Sequence, residues 1–326
     1  MASTIEKSVS AGIAEMRPAS LAVEALQARA VEPVAAAAGI MMPEGTFAGH
    51  RSGREGTGLR ATNAACIGRI GNLELRLAVD EEDVVRAQRL RYHVFYEEMA
   101  AQPDALASVT GRDADAFDAI CDHLLVLDHG QGEAPEIVGT YRLLRQEVAR
   151  RHGGFYSASE YAIGAMLEAH PDANVLELGR SCVRAPYRNK RTVELLWHGI
   201  WSYVLRHRID VMLGCASLTG TDPEALALPL SFLAHFARAP EEWCARAHEH
   251  LHVPMARMPR EAVDPRAALA ALPPLIKGYL RLGAGFGDGA VVDRQFGTTD
   301  VLVVLPVSRI NPRYIAHFGA DAGRHA

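Results

Sequence analysis

The sequence predicts a mixed α/β fold, one central sheet flanked by helices and preceded by a flexible N-terminal arm. Three observations carry that prediction. From about residue 72, short apolar runs alternate with amphipathic stretches in the order β–α–β–β–(α)–β–α–β–α–β. Residues 1–70 are rich in Ala, Gly, Ser and Thr and hold no sustained period, so little apolar surface is available to offset ordering entropy. Residues 175–205, VLELGRSCVRAPYRNKRTVELLWHGIWSYVL, run from apolar strand through a basic loop into an amphipathic helix.

The elements follow in order. NLELRLAV (72–79) alternates as a strand, and EEDVVRAQRLRYHVFYEEM (81–99) has helical period with Asp80 as N-cap and acidic residues in its first turn. After a polar loop over 101–118, CDHLLVLD (121–128) and EIVGTYRLL (136–144) form a hairpin across HGQGEAPE. A helix spans SEYAIGAMLEAH, then strand ANVLELGRSCV, helix 190–207 and strand IDVMLGCAS (209–217). Asp222 as cap and Pro223 at the first position start a helix that runs to about Phe236. GAGFGDG reads as a turn-rich loop between the helical piece PPLIKGYLRLGA and a last strand, DVLVVLPV (300–307).

Bulk properties exclude several classes. The chain of 326 residues is 49% hydrophobic and 22% charged, ordinary for a soluble globular protein. A net charge of -5 argues against a general nucleic-acid binder. No apolar run reaches the roughly 18 residues that span a bilayer, so a soluble chain is expected, with room left for a contact at a membrane surface. Five cysteines without a CxxC pair fit reduced thiols in the cytoplasm, and Cys182, in an apolar strand without an adjacent His, reads as packing. His123 reads as structural, and no metal site is expected.

The basic loop is the strongest local signal. A strand, a sharp loop and a helix start gather free backbone N–H groups and a positive dipole end at one point. Arg188, Lys190 and Arg191 add charge there, so phosphate is the natural ligand. Neither GxxxxGK[ST] nor an early GxGxxG is present, so this is no P-loop.

That unit looks like part of the GNAT acyltransferase fold. Further stretches resemble the ornithine-lipid N-acyltransferases: LRYHVFYEEM (90–99), FDAICDHLLVLD (117–128), VGTYRLLR (138–145), ELGRSCV (177–183), YRNKRTVELLWHGI (187–200) and the long block 273–307. These enzymes are in turn similar to the acyl-homoserine-lactone synthases. The resemblance implies a GNAT-like domain over 71–312, with C-terminal elements that wall an acyl chain and dock a carrier, and a tail at 313–326. It implies transfer of a 3-hydroxyacyl chain from acyl carrier protein to the α-amine of L-ornithine, giving lyso-ornithine lipid. The donor would ride on the carrier's phosphopantetheine arm, with no bound cofactor. RNKRT (188–192) lacks the glycines of acetyl-CoA-binding loops, which suits a carrier protein as donor.

The resemblance also assigns residues. Val183, Arg188, Lys190, Arg191 and Thr192 would hold the phosphopantetheine, and Lys277 and Arg281 would help dock the acidic carrier. The R-x-x-x-F pattern falls on Arg91 and Phe95, with Arg91 organising an acidic cluster or binding a substrate carboxylate. Asp113, Asp115 and Asp118 lie where the synthases place acidic site residues, Asp115 and Asp118 being the choices for the amine and Arg142 their ion-pair partner. Glu177 is the candidate general base. Arg180, three residues on, would share its face only through a bulge at Gly179, which GNAT folds use to free an N–H for the thioester oxygen. Another amino-acid acceptor, an autoinducer-type synthase using S-adenosylmethionine, and a non-catalytic carrier- or lipid-binding module remain as alternatives.

Overall fold

The computed structural model describes residues 66–311, apart from 131 and 133, together with Tyr314. The arm expected over 1–70 lies outside the described residues up to residue 65, and so does most of the tail.

Among the described residues, one sheet has the strand order β1-β2-β3-β4-β5-β6-β8-β7. Its strands are β1 (Gly68–Ile70), β2 (Leu73–Leu77), β3 (Asp122–Asp128), β4 (Glu136–Arg145), β5 (Val175–Val183), β6 (Val211–Thr219), β7 (Gly285–Asp293) and β8 (Thr298–Pro306). The helices are α1 (Glu81–Tyr92), α2 (Ala105–Thr110), α3 (Gln146–Ala149), α4 (Ile163–Ala169), α5 (Lys190–His207), α6 (Ala227–Phe236), α7 (Pro265–Ala271) and α8 (Pro274–Leu282). This is the mixed sheet flanked by helices that the sequence predicts. No helix among the described residues is long and apolar enough to cross a membrane.

Residue pattern explains the layering. β3 is apolar at successive positions because both of its faces are covered. Leu124 and Val126 pack with Leu195, Ile200 and Val204 of α5. Leu125 and Leu127, pointing the other way, pack with Ala87, Leu90 and Val94 of the first helix. That helix starts at Asp80, whose side chain accepts the Asp83 N–H at 2.9 Å. It then widens into a π turn over His93–Glu98.

The sheet splits at its centre. β5 and β6, its one parallel pair, are registered only from Val175↔Val211 to Glu177↔Leu213. At the next residue, Gly214, an added Cβ would lie 2.2 Å from the Leu178 carbonyl oxygen, so only glycine lets the strands meet there. Beyond that point β5 stays with β4 while β6 stays with β8 through Thr219↔Thr298. The divergence leaves a cleft between the two halves of the sheet.

Two sequence expectations need correction. GAGFGDG is not a turn-rich loop but the start of β7, paired with β8 and bulged between Phe286 and Ala290. Its glycines serve close packing: a Cβ on Gly285 would meet the Ala239 backbone at 2.5 Å, and one on Gly287 the Ala245 oxygen at 2.7 Å. Asp222 and Pro223 form a turn in which Asp222 Oδ1 accepts the Glu224 N–H, and the helix itself begins at Ala227. The short strand β1 had no signal beyond three residues.

Candidate active site

Three arginines and three aspartates close a ring of alternating charge beside the cleft. Arg91 reaches Asp118 at 2.7 Å, Arg142 reaches Asp118 at 3.3 Å and Asp115 at 2.6 Å, Arg180 reaches Asp115 at 3.4 Å and Asp113 at 3.2 Å, and Arg91 returns to Asp113 at 2.8 Å. Gln88 and Tyr96 donate to the ring at Asp118 and Asp113. The aspartates are brought there by a short turn in which Asp115 caps Ala116–Ala119 and Asp118 accepts the Asp115 N–H. Burial alone would raise the Asp118 carboxyl, yet the hydrogen bond and charge of Arg91, with Arg142 behind it, hold it down at about 2.

The ring sorts the expected substrate-binding residues. Arg91 is 0% exposed, so it organises the acidic cluster and does not reach the cleft. Asp113 and Asp118 are buried behind it, and all three aspartates are already neutralised by arginine, which leaves them poorly placed to hold a substrate amine. Arg142, paired with carboxylates as its sequence position suggests, faces the cleft, as do Arg180 and Phe95. Phe95 does so from the π turn, one wide turn past Arg91.

The bulge lies close to its expected place. Thr140 pairs with Cys182 and Arg142 with Gly179, so Arg180 and Ser181 together face the single residue Tyr141. Arg180 has φ 48, the left-handed region that a non-glycine residue rarely adopts. This turns its guanidinium back to the side of Arg142, 5.1 Å from the centroids of both Tyr156 and Phe296. Neighbouring carboxylates raise its pKa against the burial that would lower it. Arg180 and Glu177 share the cleft without forming an ion pair.

Glu177 sits where the strands part and is 4% exposed. Its carboxylate accepts from Tyr156 N at 2.8 Å, Ser157 N at 2.7 Å and Ser157 Oγ at 2.6 Å. Burial pushes the carboxyl up and these hydrogen bonds moderate the rise. It is held like a preorganised group, with one fixed geometry at the closed end of the cleft.

The cleft holds about 1120 Å³, slightly above the usual range for small-molecule sites. Leu178, Leu196, Trp197, Pro274 and Leu275 give it an apolar arm. Val183, Arg188 and Lys190 also line it. Arg188 is held by the Val183 carbonyl and by Glu98, and Lys190 pairs with Glu194 at 3.4 Å. Arg191 is exposed on the helix start, and Thr192 is fully buried. Asn189 caps α5 and takes the N–H groups of Arg191 and Thr192, so the anion-binding capacity of this corner lies mainly in side-chain charge. Lys277 donates to the Ala270 carbonyl, while Arg281 lines the cleft.

Sequence reasoning missed the opposite wall. Cys215, Ser217, Asp293, Thr298 and Asp300 line the cleft from β6, β7 and β8. Their signal was present only as polar residues inside apolar strands. Cys121 and Cys182 are pushed up to about 12 by burial, and burial also raises Cys215 well above the ordinary thiol value, so none of the three is a ready thiolate. Among the described residues no group of three or more His, Cys, Asp or Glu is arranged to hold a metal ion.

Residues 90–198 match the model of the acetyltransferase (GNAT) domain. The chain is 60% identical over 260 residues to an L-ornithine N(alpha)-acyltransferase of Rhizobium meliloti, covering 79% of this chain and 88% of that one. It is 54% identical over 264 residues to an L-ornithine N(alpha)-acyltransferase of Brucella abortus, covering 80% of this chain and 94% of that one. Among solved structures it aligns with an N-acyl amino acid synthase from uncultured soil microbes at 11% identity and a TM-score of 0.40, over 72% of this chain and 91% of that one.

Proposed function

The chain belongs to the L-ornithine N(alpha)-acyltransferase family, and from that premise we propose that it moves a 3-hydroxyacyl chain from acyl carrier protein to the α-amine of L-ornithine, giving lyso-ornithine lipid. The observation that carries this reading is the cleft itself. It joins a buried carboxylate at the closed end, an apolar arm and a basic mouth in one continuous space.

The chemistry asks for each part. Ornithine arrives with a protonated α-amine, which must lose its proton before its lone pair can attack the thioester carbonyl. Glu177, made more proton-avid by burial, takes that proton directly or through water. The new C–N bond forms and the C–S bond breaks; the nitrogen gives up its second proton to the departing sulfur, so the carrier leaves as a thiol, and Glu177 passes the first proton to solvent. Arg180 and the bulged backbone around it face the developing oxyanion from the β5 wall. Arg188 and Lys190 at the mouth attract the phosphate of the carrier's phosphopantetheine, with Arg191 adding charge outside. We place the reaction in the cytoplasm, with the lipid product released toward the inner membrane face.

The test mixes purified protein with 3-hydroxyacyl carrier protein and a panel of amino acids, following free thiol and product mass. Thiol release that requires ornithine is expected, and Glu177→Gln should lower kcat by about 10²–10⁴. No release with any amino acid, despite carrier binding, would replace this reading with a non-catalytic carrier-binding module.

A further inference from the structure

Asp300 is 8% exposed, lines the cleft, and has an Oδ1 with no hydrogen-bond partner. A buried carboxylate oxygen left unpaired costs free energy unless something charged arrives to meet it. Among the described residues neither Asp300 nor Asp293 forms an ion pair, and one Asp293 oxygen accepts the Gln295 and Phe296 N–H groups. Arg180, whose charge reaches Asp300 through space, is committed to Asp113 and Asp115.

Strand register sets what surrounds this oxygen. Asp300 is registered with Ser217 of β6 and with Val291 of β7, and Thr298 with Asp293. Residues two apart on a strand share a face, so Asp300, Thr298, Asp293 and Ser217 lie on one side of the sheet. That side carries hydroxyls and carboxylates and no ammonium or guanidinium of its own strands. Burial, with Asp293 nearby, raises the Asp300 carboxyl, while hydrogen bonding from the Ser217 and Thr298 side chains and the charge of Arg180 hold it down.

We propose that Asp300, supported by Asp293 and Ser217, is the subsite that takes the side-chain ammonium of the acceptor amino acid and sets its specificity for a basic one. The inference rests on the amino-acid acceptor reading above and deepens it. Spacing fits. Cys215, two residues before Ser217 on the same strand face, lies 3.6 Å from the Ser157 hydroxyl that holds Glu177. Two strand residues advance roughly 7 Å. The α- and side-chain nitrogens of an extended ornithine are separated by five bonds, about 6 Å at standard bond lengths. An acceptor with its α-amine toward Glu177 thus lays its distal ammonium toward Asp300.

The test compares ornithine with norvaline, which has the same carbon skeleton and lacks the distal amine, on wild type and Asp300→Asn. Wild type should favour ornithine strongly, because a site built around a charged partner rejects an analogue that leaves it unpaired. In Asp300→Asn the KM for ornithine should rise by about 10–100-fold, the worth of a charge-assisted hydrogen bond, and the preference for ornithine over norvaline in kcat/KM should shrink by a similar factor. Asp300→Glu should recover part of the ornithine preference. If Asp300→Asn does not fold, Asp293→Asn, at a half-buried position, should show the same KM trend in weaker form. Retained discrimination in these variants, or a kcat loss at constant KM, would overturn the subsite. Failure of wild type to acylate any amino acid would instead remove the acceptor reading beneath it.

Discussion

Replacing Arg91 by Met isolates the energetics of the charge ring. The side chain is fully buried, and it holds Asp113 at 2.8 Å and Asp118 at 2.7 Å. Methionine fills similar volume and leaves two buried carboxylates with less compensation. Removing one partner of a buried ion pair costs about 3–5 kcal/mol, a large share of the roughly 5–15 kcal/mol that a folded domain possesses. At about 2–4 °C per kcal/mol, Tm should fall by roughly 6–20 °C. The pH dependence is more specific. In the wild type the Asp118 carboxyl sits near 2, below its ordinary 3.8. A depressed carboxyl contributes stability that is full above pH 4 and lost as pH falls toward 2, here about 2 kcal/mol. Without Arg91, burial dominates and the carboxyl rises, so acidification stops destabilising at this site and begins to help. The gap between variant and wild type should therefore narrow from pH 7 to pH 3, read by urea unfolding at each pH with unchanged m-values. A penalty below about 1 kcal/mol at pH 7, or a gap that does not move with pH, would refute the ring as the structural keystone and leave Arg91 as ordinary packing.

Two further outcomes follow from close contacts and from burial. Gly214→Ala places a methyl group 2.2 Å from the Leu178 carbonyl at the point where the sheet splits, so a loss of at least about 2–3 kcal/mol is expected, with acyl transfer falling as the cleft geometry shifts; thermal unfolding within 1 °C of wild type would show that the strands yield freely. At pH 8 thiols held near 12 are ionised to the order of 10⁻⁴, so iodoacetamide should leave Cys121 and Cys182 unmodified in the native enzyme and activity intact. Rapid alkylation at either position, located by peptide mass, would contradict their burial.

Most of the sheet was legible because its strands carry uninterrupted apolar runs and its turns carry glycine or charge. β3, β4, β5, β6 and β8 announce themselves this way. β7 did not, since its glycines look like a turn until the segment containing Ala239 and Ala245 is seen pressing against them. The ring was half legible. Arg91 on an apolar helix face and Asp113, Asp115 and Asp118 at close spacing predict a buried cluster. They do not reveal that each carboxylate is spent on arginine, because that depends on register across β4 and β5. Glu177 stood out as an acid inside an apolar strand. Its partners, Tyr156 and Ser157, come from a segment about twenty residues earlier that has no motif of its own. Asp300 was hidden by its run, DVLVVLPV, where a lone acid at the first position reads as a strand cap.

The distribution of free charge, rather than its total, separates the two ends of the cleft. The ring contributes three cations and three anions, so to first order it presents no net charge and acts as a rigid frame for Arg142 and Arg180. With the ring set aside, the inner wall keeps Glu177, Asp293 and Asp300, while the mouth keeps Arg188, Lys190 and Arg281. Lys190 is partly offset by Glu194 and Arg188 by Glu98, so the positive end is moderate and exposed, where salt screens it readily. The negative end is buried and screened far less. On the proposed function, an anionic carrier arm and a cationic acceptor approaching the same cleft would be sent to opposite ends of it. The proposal has the thioester and the amine meet at the split in the sheet, where Glu177 is fixed by three hydrogen bonds. In this arrangement raising the salt concentration should weaken the carrier's KM well before the acceptor's, and equal sensitivity of the two would mean that the acceptor, too, is held mainly by exposed charge.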